Sequence, residues 1–310
     1  MVAILATLLL VWLNRSAYAH VAAGDNLLTD WLWRWDVAFV LLLFGALYVR
    51  GWLRLKSLGG EIKLSELIFY ALALSAIAVA LLSPIDALAS SLLIAHMAQH
   101  ELLMMVAPPL ILLAHPVPVL LWGLGENSRL GVGRLLTQNS LIRRVRDFLG
   151  WMPVAWCVYV LNLWVWHYPP LYEAALQDPW IHDLEHLLFF LTALVFWWPV
   201  LRPLSRPAAI YDGMRIFYLF LAATQDALLS GLIGLSEKIL YPHYETTLRL
   251  WDLTPRQDQI GAGLVMFAVG SLTYLIAILV LVNALLGEAK GERSTKRASG
   301  DGAEKVKGRV

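Results

Sequence analysis

The chain has 310 residues, of which 59% are hydrophobic, and 24 basic against 23 acidic side chains give a formal net charge of +1. Only 15% of residues are charged, against about a quarter in a soluble domain, and mean hydropathy is +0.64. The composition excludes a soluble globular domain and predicts an all-α, polytopic membrane helical bundle. Balanced charge, with no Walker loop, dinucleotide fingerprint or nucleic-acid module, gives no reason to expect a nucleotide or nucleic-acid partner. The single cysteine, Cys157, excludes an intramolecular disulfide and any CxxC metal site.

The apolar run from Met1 to Leu13 is shorter than the roughly 20 residues that cross a bilayer. Ala17-Tyr18-Ala19 then offers a small-x-small cleavage pattern, so residues 1–19 are expected to be a cleaved signal peptide. His20 would become the first mature residue, in an outer segment covering 20–34. A first span over Trp35–Leu53 is bounded by Arg50, Arg54, Lys56 and Lys63, which by the positive-inside rule mark the cytoplasmic side. The second, about Leu64–Ser83, stops at Ser83-Pro84-Ile85-Asp86, where Asp86 can cap the next helix. A third covers about Ala87–Val106. Pro108-Pro109 remove two amide donors, and the residues to Leu121 read as a broken extension of it.

The loop with Arg129, Arg134, Arg143, Arg144 and Arg146 belongs inside. Met152–Trp166 returns outward as the fourth span, His182–Val200 is the fifth, Gly213–Leu235 the sixth and Ile260–Leu286 the seventh. The membrane domain thus runs over 35–286. The tail, 287–310, mixes Lys and Arg with Gly, Ser and acids and is expected to be disordered and cytoplasmic. The expected location is a bacterial inner (plasma) membrane, with the mature N-terminus outside and the C-terminus in the cytoplasm.

Ionisable and metal-binding side chains inside an apolar span need a reason. At about 100° per residue, His96, Met97, His100 and Met104 share one helix face. Imidazole with thioether suits copper, although buried His also bond between helices and Met also fills gaps. His167, His182, His186 and His243 fall at the outer ends of spans or in outer loops. His96 lies about 15 Å below that surface at ~1.5 Å per residue, and His115 alone is on the inner half. In His182-Asp183-Leu184-Glu185-His186 the two imidazoles are at i and i+4 with Glu185 beside them. This matches a zinc-peptidase pattern formally. At a membrane boundary, with no obvious third ligand, it reads better as a metal-binding pair or as a histidine oriented by Glu185. Asp226 and Asn162 are mid-membrane polar groups, and Asp226 is expected to face the interior, paired with a histidine or a water. Asp258 heads the seventh span, where a helix N-terminus favours negative charge.

The segments His96-Met97-Ala98-Gln99-His100-Glu101-Leu102-Leu103 with Ala107-Pro108-Pro109-Leu110, His167-Tyr168-Pro169 through Leu171-Tyr172-Glu173, His182–His186 with Phe196-Trp197-Trp198-Pro199, and Asp258-Gln259-Ile260-Gly261-Ala262-Gly263-Leu264-Val265-Met266 occur in that order. As a set they resemble the CtaG family of polytopic cytochrome c oxidase assembly factors, which is distinct from the single-span, cysteine-bearing copper chaperone of the same name. The resemblance covers the second to the seventh span. It implies a role in maturing a haem-copper oxidase and marks His96, His100, His167, His182, His186 and Asp258 as family positions. One departure is Phe267 after Met266, where the family often has Trp.

Residues and resemblance together lead to one expectation: a non-enzymatic assembly factor that holds copper between the third, fourth and fifth helices near the outer face. The ligands would be His96, His100, His182 and His186, then His167, Met97 and Met104, with Glu185, Asp258 and Asp226 orienting imidazoles. Cytochrome c oxidase subunits, a periplasmic copper donor and membrane lipid are the expected partners. A bis-histidine haem electron carrier, a copper permease and a metal-free scaffold are the competing readings.

Overall fold

The computed structural model describes residues 34–138, 140–201 and 208–307. The stretch expected to be a signal peptide, with its expected cleavage site and His20, lies outside the described residues. Among those described, every regular element is helical. Trp35–Ser57 (α1), Leu64–Leu82 (α2), Pro179–Leu201 (α11), Ala208–Leu235 (α12) and Pro255–Lys307 (α14) each contain a stretch long and apolar enough to cross a membrane. Two bent pairs raise the five to as many as seven. One joins Leu93–Leu113 to Pro116–Gly123 at 69°, and the other joins Leu141–Leu149 to Met152–Trp166 at 74°.

The third span departs from its expected bounds at both ends. Ser83 accepts from the Ile85 N–H at 3.2 Å and caps a short helix, Pro84–Ala89 (α3), so the histidine-bearing helix begins only at Leu93. Asp86 is not its cap; it accepts from Gln99 Nε2 at 2.7 Å. Leu93–Glu101 (α4) passes through a π-helical turn, Leu102–Val106, into Ala107–Leu113 (α5). Pro108-Pro109 do not break the chain, contrary to the sequence expectation. Both fall in the first turn of α5, and the Met104 carbonyl, which Pro108 has no N–H to serve, accepts from Trp197 Nε1 at 3.1 Å. The break comes later, at His115, whose φ of 49° is left-handed, ahead of Pro116–Gly123 (α6).

Glu126–Gln138 (α7) and Ser140–Leu149 (α8) lead to Met152–Trp166 (α9), and Pro169–Gln177 (α10) and His243–Thr246 (α13) lie in connections. At one end of the bundle are the end of α9, the starts of α4, α11 and α14, and α13; this is the histidine end. The opposite, arginine end carries α7 and α8. The main hydrophobic cluster is built on α4, α9, α11, α12 and α14, with Phe189, Phe196, Trp197 and Tyr274 almost fully buried. A smaller one, Tyr48, Trp52, Tyr70, Ala114 and Val119, joins α1 and α2 to the α5–α6 region. The last helix continues to Lys307, where composition predicts an irregular tail. Propagating a formed helix costs much less than nucleating one.

Candidate metal centre

The α4 and α11 helices bring four donors together. One ligand atom from each of His96, His182, Glu185 and His186 lies within 4.8 Å of the others. Spacing on α11 does half of this, because i, i+3 and i+4 share a face. Packing against α4 supplies the third imidazole that the HxxEH pattern lacked. His96 and Glu185 are fully buried and His186 nearly so. Ring centroids are 4.2 Å apart for His182–His186, 5.1 Å for His96–His182 and 6.0 Å for His96–His186.

His100 extends this group one turn deeper. Its ring is 4.4 Å from that of His96 and 5.3 Å from that of His186, and its Nε2 is 3.8 Å from Glu185 Oε1. Glu185 Oε2 is 3.9 Å from His96 Nε2, so the carboxylate stands among the imidazoles, not behind them. His167 is the next ring, 5.9 Å from His100, with Nδ1 2.8 Å from the Leu163 carbonyl, which assigns its N–H to that side. Both nitrogens of His100 and of His186, His167 Nε2 and both Glu185 oxygens are buried with no hydrogen-bond partner among the described residues. Leaving so many polar atoms unmade costs ~1–3 kcal/mol each. A cation held there would offset that cost, because convergent imidazole and carboxylate lone pairs are what a divalent or d-block ion requires.

Three tyrosines line the centre, of which only Tyr172 falls in a motif singled out from the sequence. Tyr244 in α13 donates to the Ala89 carbonyl at 3.1 Å, so its oxygen accepts from His96 Nδ1 at 2.9 Å. That leaves His96 Nε2 as the lone-pair donor, the nitrogen facing Glu185. Tyr172 reaches the same oxygen at 3.2 Å, and Tyr241 donates to the His167 carbonyl at 3.0 Å. Burial pushes all three phenols up, which keeps them neutral donors. The available signal was Tyr241-Pro242-His243-Tyr244, an aromatic-rich connection. His243 itself turns away, with Nε2 3.0 Å from the Ser90 carbonyl.

Other expected positions fall elsewhere. Met97 and Met104 are buried in the main hydrophobic cluster, and the π turn re-phases Met104 relative to His100. Asp258 does not orient an imidazole. Its oxygens accept from the Leu93 and Ile94 N–H groups at 2.7 and 2.9 Å, capping α4 from a neighbouring helix, while its own helix is closed by a Thr254–Gln257 capping box. Nor does Asp226 meet a histidine. Neither of its oxygens has a hydrogen-bond partner among the described residues; it lies against Gly270 and interacts electrostatically with Glu101. His115, at the other end, is 3.6 Å from Glu66.

A family model described as cytochrome c oxidase caa3 assembly factor matches residues 46–287, a range containing every side chain of the centre. An uncharacterised protein of Mycobacterium leprae is 23% identical over 257 residues, covering 81% of this chain and 39% of that protein. Uncharacterised proteins of Mycobacterium bovis and Mycobacterium tuberculosis are each 26% identical over 271 residues, covering 84% of this chain and 40% of theirs. The chain thus spans about two-fifths of the length of these curated relatives. No solved structure matches it.

Proposed function

We propose, starting from the fact that this chain belongs to the cytochrome c oxidase caa3 assembly factor family, that it matures a haem-copper oxidase by holding copper as cargo at the histidine end and passing it on. The observation that carries this reading is the convergence of His96, His182, Glu185 and His186 on one point, with His100 alongside. Three imidazoles and a carboxylate fit Cu(II) or zinc, and the family role favours copper. Copper bound there would be exchangeable if His182, the partly exposed donor, is its route in and out. The histidine end would face the outer compartment, since the opposite end carries the arginine loop and basic segments mark the cytoplasm. Partners would then be the oxidase subunits and a periplasmic copper donor, with no catalytic role for the chain itself.

A bis-histidine haem fits less well. The two pairs across α4 and α11, His100 with His186 and His96 with His186, have centroids 5.3 and 6.0 Å apart, each in edge contact, an arrangement that does not place the two rings on opposite faces of a macrocycle. The test is metal content and absorption of the detergent-purified protein, for wild type beside H96A/H100A, together with oxidase activity in a deletion strain. Copper near one per chain that is lost in the double variant, with oxidase activity lost while the protein stays in the membrane, is the expected result. A metal-free wild type that restores oxidase would establish the scaffold reading, and a Soret band the haem one. Vesicle uptake of labelled copper would identify a permease.

A further inference from the structure

At the arginine end, α8 turns 74° away from α9 and presents two distinct surfaces. Leu141, Val145 and Phe148, at i, i+4 and i+7, make one apolar face that is exposed throughout, and exposed Trp151 follows it. Arg143 and Arg146, one turn apart, lie away from that face, and Arg144 flanks it on the other edge. Arg146 bonds one oxygen of its neighbour Asp147, whereas Arg143 and Arg144 have no acidic partner among the described residues. Behind the helix is a cleft of about 190 Å³ lined by Arg146, Leu149 and Gly150 on one side and Leu194, Val195 and Trp198 of α11 on the other. Except for Arg146 its lining is apolar.

We propose that α8 and this cleft form a binding site for an anionic phospholipid, the phosphate held by Arg143 and Arg146 and an acyl chain lying in the cleft against Trp198. The exposed apolar face would sit in the acyl boundary beside it, as in helices that lie in the plane of a membrane. Charge decides the occupant. Three arginines against one aspartate on this helix need a partner with net negative charge, which a zwitterionic lipid or a second copy of the same basic surface does not supply. Guanidinium also matches phosphate oxygens in a two-pronged geometry. The site is independent of the metal centre, at the opposite end of the bundle.

The test is native mass spectrometry of the full chain in detergent with equal amounts of phosphatidylglycerol and phosphatidylcholine. Retention of phosphatidylglycerol is expected to exceed that of phosphatidylcholine by on the order of tenfold. R143Q/R146Q should remove the preference, and R134Q, on α7, should leave it intact. Phosphatidylglycerol with brominated acyl chains should quench tryptophan emission in wild type and measurably less in W198F, a readout that does not depend on the arginine variants folding. Equal retention of the two lipids, a preference that survives R143Q/R146Q, quenching unchanged in W198F, or a dimer that forms through this face without lipid would each overturn the proposal.

Discussion

Tyr244 shows how much of the centre's chemistry sits one residue beyond its donors. Its hydroxyl receives His96 Nδ1 and gives its own proton to Ala89, so the imidazole has one tautomer available. Y244F removes that acceptor and is expected to weaken metal binding by about 10- to 100-fold, as losses of ligand-orienting partners do, in a chelator competition titration. E185Q removes the only carboxylate among the four convergent donors and should weaken binding at least as much. M97L/M104L should leave metal content unchanged, because both side chains are packed in the hydrophobic cluster and leucine conserves volume. Loss of copper in that variant would return the thioethers to the ligand set.

Between elements, the close approaches are made by small residues and by a borrowed cap. Asp258 satisfies the first two amides of α4 from α14, so the helix bearing His96 and His100 is fixed relative to the last span. D258A is expected to cost ~1–2 kcal/mol, read as a lower melting temperature of the detergent-purified chain. It should also weaken the metal centre, which an isolated stability effect would not. On α14, a Cβ at Gly263 would lie 2.6 Å from the Ser230 carbonyl and 2.7 Å from the Gly234 nitrogen, so α12 and α14 pack backbone to backbone there. G263V should therefore reduce the folded fraction more than G131V, whose added carbon meets nothing within 4 Å. The π turn is the third such device. By re-phasing the helix after Glu101 it lets two prolines follow without ending the span, with Trp197 of α11 meeting the orphaned Met104 carbonyl.

For the whole molecule, orientation is the property on which the proposed delivery of copper depends. In a C157A background, a cysteine placed at Thr246 should react in intact cells with a membrane-impermeant maleimide, and one at Gly131 should react only after lysis. The reverse pattern would put the histidine end in the cytoplasm and remove the basis for delivery from the outer side.

Membrane residence, the helical class and the approximate bounds of most spans were legible in the sequence, because each follows from the local composition of a stretch about 20 residues long. The two halves of the centre were legible for the same reason, since His96/His100 and His182/His186 are each placed on one face by helical periodicity alone. That these faces meet, that Glu185 stands between them and that Tyr244 comes in from a distant connection depended on how α4, α11 and the connection before α14 pack. Such contacts join residues far apart in the chain, and no local period encodes them. Asp226 and Asp258 show the same limit from the other side. Each was recognisable as a polar group needing a partner in an apolar span, and only the tertiary structure decided whether that neighbour was an imidazole, a helix terminus or another carboxylate.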